Sequence, residues 1–177
     1  MNILEFLYDH TVFKIIKLSP SRTKIKYFRK LGMKIGQNCT LNTMSLSTEP
    51  FLIEIGNDVS IASGTQFITH DGSVRCFKDE IQGGIFGKIK IGNNVNIGIN
   101  CIIIYNTVIG DNCIIGAGSV VRGRFPDNSV IFGNPAKVVY RMGIQKMIFR
   151  NSHGFVKTNN LTHKESMNLV KKHFGIE

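Results

Sequence analysis

The 177 residues contain no tryptophan, only 4 prolines, and no Cys-x-x-Cys among the cysteines at 39, 76, 101 and 113. Cysteines so widely spaced indicate neither a structural zinc site nor a disulfide framework, so a reduced, cytoplasmic chain is expected. Long apolar runs are missing too: none approaches the roughly 20 residues that span a bilayer. Residues 1–18 carry an apolar stripe, but Glu5, Asp9, His10, Lys14 and Lys17 interrupt it, unlike a secretory signal. Charged residues make up only 19% against 42% hydrophobic, a balance that excludes wholesale disorder. Acids are absent between Asp9 and Glu49, while eight lysines and arginines fall between Lys14 and Lys34 and the net charge is +10. Such a field attracts nucleic acid, an anionic membrane face or a phosphorylated small molecule. The interleaved aromatics or reading motif of a nucleic-acid binder are also missing, so no nucleic-acid partner is expected.

What is present is repetition. Between Ile91 and Val120 the chain divides into five six-residue units, IGNNVN, IGINCI, IIYNTV, IGDNCI and IGAGSV. IGNDVS and IASGTQ, from Ile55 and Ile61, keep the same frame, and IGQNCT at Ile35 repeats the pattern in an earlier one. Position one is aliphatic and position five small, as inward-facing residues would be. Position four is Asn in four of the five units and Gly in the last, the residues that best tolerate left-handed backbone. A short strand and a corner every six residues close a three-sided prism with 18 residues per coil, and like residues stack into ladders. A β-sandwich would require turn signals every 8–12 residues instead. The expected fold is all-β: a parallel β-helix over 35–141 with a protruding loop at 71–88, a helical basic cap over 1–34 and a partly helical extension over 142–177.

These hexads resemble the left-handed parallel β-helix of hexapeptide-repeat acyltransferases; the handedness comes from that resemblance, since parallel crossovers are generally right-handed. ITHDG at 68–72, IGAGSVV at 115–121 and GNPAKVV at 133–139 are similar to the maltose/galactoside acetyltransferase and polysaccharide O-acetyltransferase branch. The resemblance implies acetyl-CoA as acyl donor, a saccharide acceptor, a homotrimer with sites between subunits, and no metal. In such enzymes a histidine at the edge of the loop takes the proton from the acceptor hydroxyl, and His70 stands there. Imidazole suits the task because it titrates near neutral pH. Asp71 has two readings, as the carboxylate that orients the imidazole or as half of an Asp-Gly turn. Asn42 likewise reads as a group holding the acceptor or as a corner residue, because the frame slips between Leu41 and Ile53.

The resemblance places Ile99 and Ala117, one coil apart, along the pantetheine arm through their main-chain amides. Arg122, Lys137 and Arg141 match or neighbour cations set against the nucleotide phosphates, with solvated surface charge as the plain alternative. Relatives carry a tryptophan where this chain has Asn96; Phe77 and Phe86 in the loop are the candidate substitutes. Cys39, Cys101 and Cys113 occupy position five and read as packing, and Cys76 has no base beside it. The expected activity is acetyl-CoA-dependent O-acetylation of a sugar or surface-polysaccharide precursor. N-acetylation of an amino or nucleotide sugar is the near alternative, and a non-catalytic scaffold the distant one. A zinc hydratase on this fold needs about three converging histidines, and only His70 lies in the repeats. Residues 3–17 read as a helix ended by Pro20, which caps the prism or, with the basic stretch after it, meets an anionic membrane. A second helix is expected from Thr162 to Phe174, capped by Thr162 or Asn160.

Overall fold

Three parallel sheets form the three faces of one prism. The computed structural model describes residues 3–77 and 80–176, with side chains from residue 11 onward. Face one stacks Lys34–Ile35, Ile53–Ile55, Ile89–Ile91, Thr107–Ile109 and Arg124–Phe125. Face two stacks Thr40–Leu41, Ser60–Ile61, Val95–Ile97, Cys113–Ile115 and Ser129–Gly133, closed by Ala136–Arg141 running antiparallel. Face three holds Gln66–Ile68, Ile102–Ile104 and Val120–Val121. The chain passes face one, first corner, face two, second corner, face three, third corner, and back to face one.

The hexad columns have the roles their chemistry dictates. Asn38, Asp58, Asn94, Asn100, Asn106 and Asn112 all take φ between 53° and 62°, the left-handed corner conformation. Position-one residues stack across coils: Ile55, Ile91 and Ile109 on face one, Ile61, Ile97, Ile115 and Ile131 on face two. These ladders form the core with Phe67, Ile103 and Val121 from face three. Each such burial stabilises by about 1.5–3 kcal/mol. Position five is packed to exclusion of solvent, with Thr65, Cys101, Thr107 and Ser119 all at 0% exposure. The Cys101 and Cys113 thiols are pushed up from their ordinary pKa by that burial, and Cys76 is exposed on the loop.

Register measures where the repeat departs from 18. Ile102 stands opposite Val120 and Val95 opposite Cys113, one regular coil apart. Thr40 faces Ser60 and Lys34 faces Glu54, so the first coil is two residues longer, which accounts for the early frame slip. Ile53 faces Ile89, a double interval that contains the protruding loop.

Helix α1 (Ile3–Leu18) ends at Ser19 and Pro20, and helix α2 (Ser21–Lys30) follows. Ile25 and Phe28 of α2 enter the core with Met33, closing the end of the prism that would otherwise expose apolar side chains and strand edges. The Ser21 hydroxyl accepts the Leu41 amide at 2.6 Å. Of the stripe on α1, the Ile3, Phe6 and Leu7 side chains lie outside the described residues; Val12 and Ile16 are half-buried and Phe13 is exposed.

The chain forms two compact units, 1–142 and 143–177. The second holds most of α3 (Met142–Arg150) and all of α4 (His163–His173). Thr162 caps α4: its hydroxyl accepts the Glu165 amide at 3.3 Å, and the Glu165 carboxylate accepts the Thr162 amide at 2.7 Å. Asn160 lies outside the helix at φ 64°.

Glycines at position two let the coils close. A Cβ on Gly36 would meet the Gly56 carbonyl oxygen at 2.4 Å, one on Gly56 the Gly92 oxygen at 2.6 Å, and one on Gly92 the Gly110 oxygen at 2.7 Å. Because these neighbours are backbone, they cannot rotate away. Gly56→Ala is therefore expected to destabilise unit 1 by about 1–3 kcal/mol. Chemical denaturation reads this directly, and an unchanged midpoint would show that the coils part without cost.

Candidate active site

The site begins where face three ends. Thr69 is buried, and the chain leaves the prism there to form the loop at the third corner. It returns at Gly87, whose amide donates to the Thr69 carbonyl at 2.8 Å and so closes the root of the loop. Just outside, His70–Asp71 pairs antiparallel with Ile85–Phe86, making the loop a small hairpin flap. His70 holds the fourth position of its hexad, yet it lies on this strand and not in the left-handed conformation of the other corner residues. The flap contains a short helix, Gly72–Phe77, anchored by the buried Val74.

The His70 side chain is 44% exposed, and its Nδ1 lies 3.0 Å from Oε2 of Glu49. Glu49 belongs to the coil above, at the end of the two-residue extension. Its carboxylate collects hydroxyl donors: Thr48 at 2.6 Å on Oε1, with Thr69 at 2.6 Å and Ser47 at 3.1 Å on Oε2. Burial works to raise its pKa, but the hydrogen bonds from Thr48, Thr69, His70 and Ser47 outweigh it and hold the carboxyl at about 2 against an ordinary 4.5. Glu49 is thus ionised and takes the Nδ1–H of the imidazole, which leaves Nε2 as the open nitrogen. The Phe86 ring stands 6.2 Å from the imidazole between centroids, giving the site an aromatic wall.

Asp71 does not orient the imidazole. Its carboxylate accepts the Ser73 amide at 2.9 Å and the Tyr105 hydroxyl at 2.8 Å. Those bonds, Ser73 first, hold it at about 2. Asp71 therefore makes the turn and ties the flap to the prism through Tyr105, whose ring lies 4.5 Å beneath the Arg122 guanidinium. Glu49, absent from the expectations above, was discoverable as the first acid after Asp9. It stands 21 residues before His70, close to one lengthened coil.

The remaining candidates divide among the corners. Ile99 and Ala117 share the second corner with Ser63, and the Ile99 carbonyl accepts the Gly118 amide at 2.9 Å. At the first corner, side chains close the main chain. Gln37 N donates to Asn57 Oδ1 at 2.8 Å, Asn57 N to Asn93 Oδ1 at 2.9 Å, Asn93 N to Asp111 Oδ1 at 2.7 Å and Asp111 N to Asp127 Oδ1 at 2.8 Å. The second corner has no such ladder: among the described residues, the amides of Ser63, Ile99 and Ala117 have no acceptor. Lys137, exposed and opposite Phe132, stands at the foot of that corner. Arg122 instead lies at the third corner over Tyr105, and Arg141 donates to the Asp127 carbonyl at 3.1 Å beside the first. Asn42 is exposed, lines a cleft at the top of the second corner and does not meet His70. Asn96 is exposed on face two between Ser60 and Ile114. No cluster of three or more metal-ligating side chains occurs among the described residues.

Residues 88–123 match the family model of bacterial transferase hexapeptide (six repeats). Protein CapG of Staphylococcus aureus is 42% identical over 164 residues, covering 89% of this chain and 92% of that protein. Among solved structures, a maltose O-acetyltransferase from Clostridium difficile 630 superposes with a TM-score of 0.56 at 26% identity, covering 76% of this chain and 84% of that one. The hexapeptide-repeat acetyltransferase VCA0836 from Vibrio cholerae gives 0.60 at 21% identity, covering 75% and 88%, and the fold is the same left-handed parallel β-helix. A second structure of VCA0836 holds acetyl coenzyme A.

The Glu49 cluster makes stability depend on acid in a definite direction. A carboxyl held below its unfolded value contributes fully above about pH 4.5 and loses that contribution as pH falls toward 2. Denaturant midpoints measured from pH 6 down to pH 2 should therefore fall more steeply for the native chain than for Glu49→Gln. Parallel curves would mean that the carboxylate is not held as described.

Proposed function

Because the chain belongs to the hexapeptide-repeat family of bacterial transferases and is an acyltransferase, we propose that it moves an acetyl group from acetyl-CoA to a hydroxyl of a saccharide, with His70 as general base. The observation that carries this reading is the Glu49–His70 pair at the root of a flap. An ionised carboxylate fixes one imidazole nitrogen and leaves the other free to accept a proton. The donor supplies an activated thioester, so the protein's task is to bind, orient and move one proton. Nε2 of His70 takes the proton of the acceptor hydroxyl as its oxygen bonds to the acetyl carbon. The carbon–sulfur bond breaks, and the imidazolium returns the proton to the departing thiolate. Glu49 stabilises the imidazolium while it exists.

The open amides of Ile99 and Ala117 fit the amide-rich pantetheine arm, and Lys137 at the foot of the same corner fits a phosphate. These donor-binding groups occupy the second corner, whereas His70 occupies the third. Setting the third corner of one copy against the second corner of the next completes the site, which supports a trimer of prisms with sites between them. On α1, Ile15 at 60% exposure and Leu18 at 89%, beside Lys14, support peripheral contact with an anionic membrane.

Thiol release from acetyl-CoA across a panel of saccharides tests the activity. His70→Ala should lower kcat by about 10²–10⁴-fold with acetyl-CoA affinity kept. Glu49→Gln should lower kcat by about 10²-fold with KM little changed, because it misorients the base without removing it. Full turnover in His70→Ala would remove the proposed base. A preference for amines over hydroxyls would move the reading to N-acetylation.

A further inference from the structure

Two clefts meet over the first turn of face three. One, of about 480 Å³, is lined by Phe13, Met44, Ser45, Ser47, Gln66 and His70. The other, of about 410 Å³, lies at the second corner and is lined by Phe13, Met44, Ser45, Lys17, Lys24 and Asn42. They share Phe13, Met44 and Ser45, and so form one trough with the base at one end and two lysines at the other. Its wall is α1, and its floor is rich in hydroxyl and amide groups. Thr43 to Ser47 forms the floor as irregular backbone, turned by the Leu46 amide donating to the Met44 carbonyl at 3.0 Å.

The charges along this trough are separated. Among the described residues no Asp or Glu lines either cleft, and the nearest carboxylate, Glu49, lies behind His70 at the end away from the lysines. Lys34 is neutralised by Glu54 at 2.9 Å, and the Arg29 guanidinium is taken up by the carbonyls of Ile35 and Gly36. Lys17 and Lys24 have no such partner among the described residues. Two ammonium groups without a partner among the described residues favour an anion at that end of the trough.

We infer that the acceptor is an anionic saccharide, with its phosphate or carboxylate held by Lys17 and Lys24 while the hydroxyl to be modified rests against His70. The inference deepens the acyltransfer reading and rests on it for the role of His70, but the binding it requires is measurable without turnover. Lys17 and Lys24 then select the substrate class, and Asn42 lies beside the anion and not beside the reacting hydroxyl.

Calorimetry on the full chain tests this with three probes: galactose 1-phosphate, galacturonic acid and the neutral methyl β-galactoside. At least one charged probe should bind about 10-fold or more tighter than the neutral one, and which of the two does so identifies the anion. The advantage should shrink with added salt and disappear in Lys17→Gln/Lys24→Gln. It should persist in Lys88→Gln/Lys90→Gln, which removes the same charge from face one. Equal binding of all three probes overturns the inference, as does an advantage that survives the first double variant. Loss of acetyl-CoA affinity in that variant with unchanged sugar binding also overturns it, by assigning the lysines to the donor. A charged-sugar preference without any acyl transfer supports the site and counts against the enzymatic reading instead.

Discussion

A coil in a parallel β-helix can hydrogen-bond only to the coils above and below it, and every other property of this molecule follows from that restriction. Strand residues must meet partners one turn away, so the turn has a fixed length, and Ile91 must lie above Ile109 as Val95 lies above Cys113. Backbone that turns a corner has no strand partner and must be satisfied by other means. The first corner does so with its own side chains, through the Asn57–Asn93–Asp111–Asp127 ladder. The second corner spends small or aliphatic residues where that ladder would stand, and its amides face outward. The contrast is one of chemistry, because the two corners share the same left-handed Asn geometry at Asn94 and Asn100.

The same restriction explains how much of the structure was legible in the sequence. A period of six with Ile, Asn and small residues in fixed columns leaves almost no freedom, so the prism, its corners and the packing roles of Cys101 and Cys113 could be read directly. His70 and the flap were legible as a break in that period. Glu49 could not be read from the hexad columns, which lose their meaning where the first coil gains two residues, and only its standing as the first acid after Asp9 marks it. Of the two readings of Asp71, as imidazole partner or as turn residue, the geometry fits the turn. Adjacency in sequence suggested contact, but successive residues of a strand point to opposite sides, and the Asp71 carboxylate turns to Tyr105. Arg122 and Arg141 lie at other corners than Ile99 and Ala117, and their side chains follow local partners, Tyr105 and the Asp127 carbonyl.

The Glu49 cluster shows how a partly buried carboxylate is kept charged without a permanent cation. Three hydroxyls and an imidazole nitrogen surround it, from Thr69 at the end of face three, His70 at the root of the flap, and Ser47 and Thr48 in the extension of the first coil. The negative charge beside the imidazole is thus preorganised by fixed hydrogen bonds. A surface carboxylate on a mobile loop would have to be ordered first, at a cost in side-chain entropy. The extra residues of the first coil thus fold back to bring Ser47, Thr48 and Glu49 over the third corner.

The flap has a different physical status from the coils. It leaves at Thr69 and returns at Gly87, and the Gly87 amide on the Thr69 carbonyl closes its root. Its length is therefore not constrained by the register of the prism, and the closure cost of a longer or shorter flap changes only as the logarithm of its length. Gly87 is held where it is because a Cβ there would meet the Asn106 side chain at 2.4 Å. Beyond that root, Ile85 and Phe86 are exposed, so little of the core depends on them. The scaffold thus fixes His70 and Glu49 at the third corner while the flap beyond its root can vary in length without disturbing their geometry.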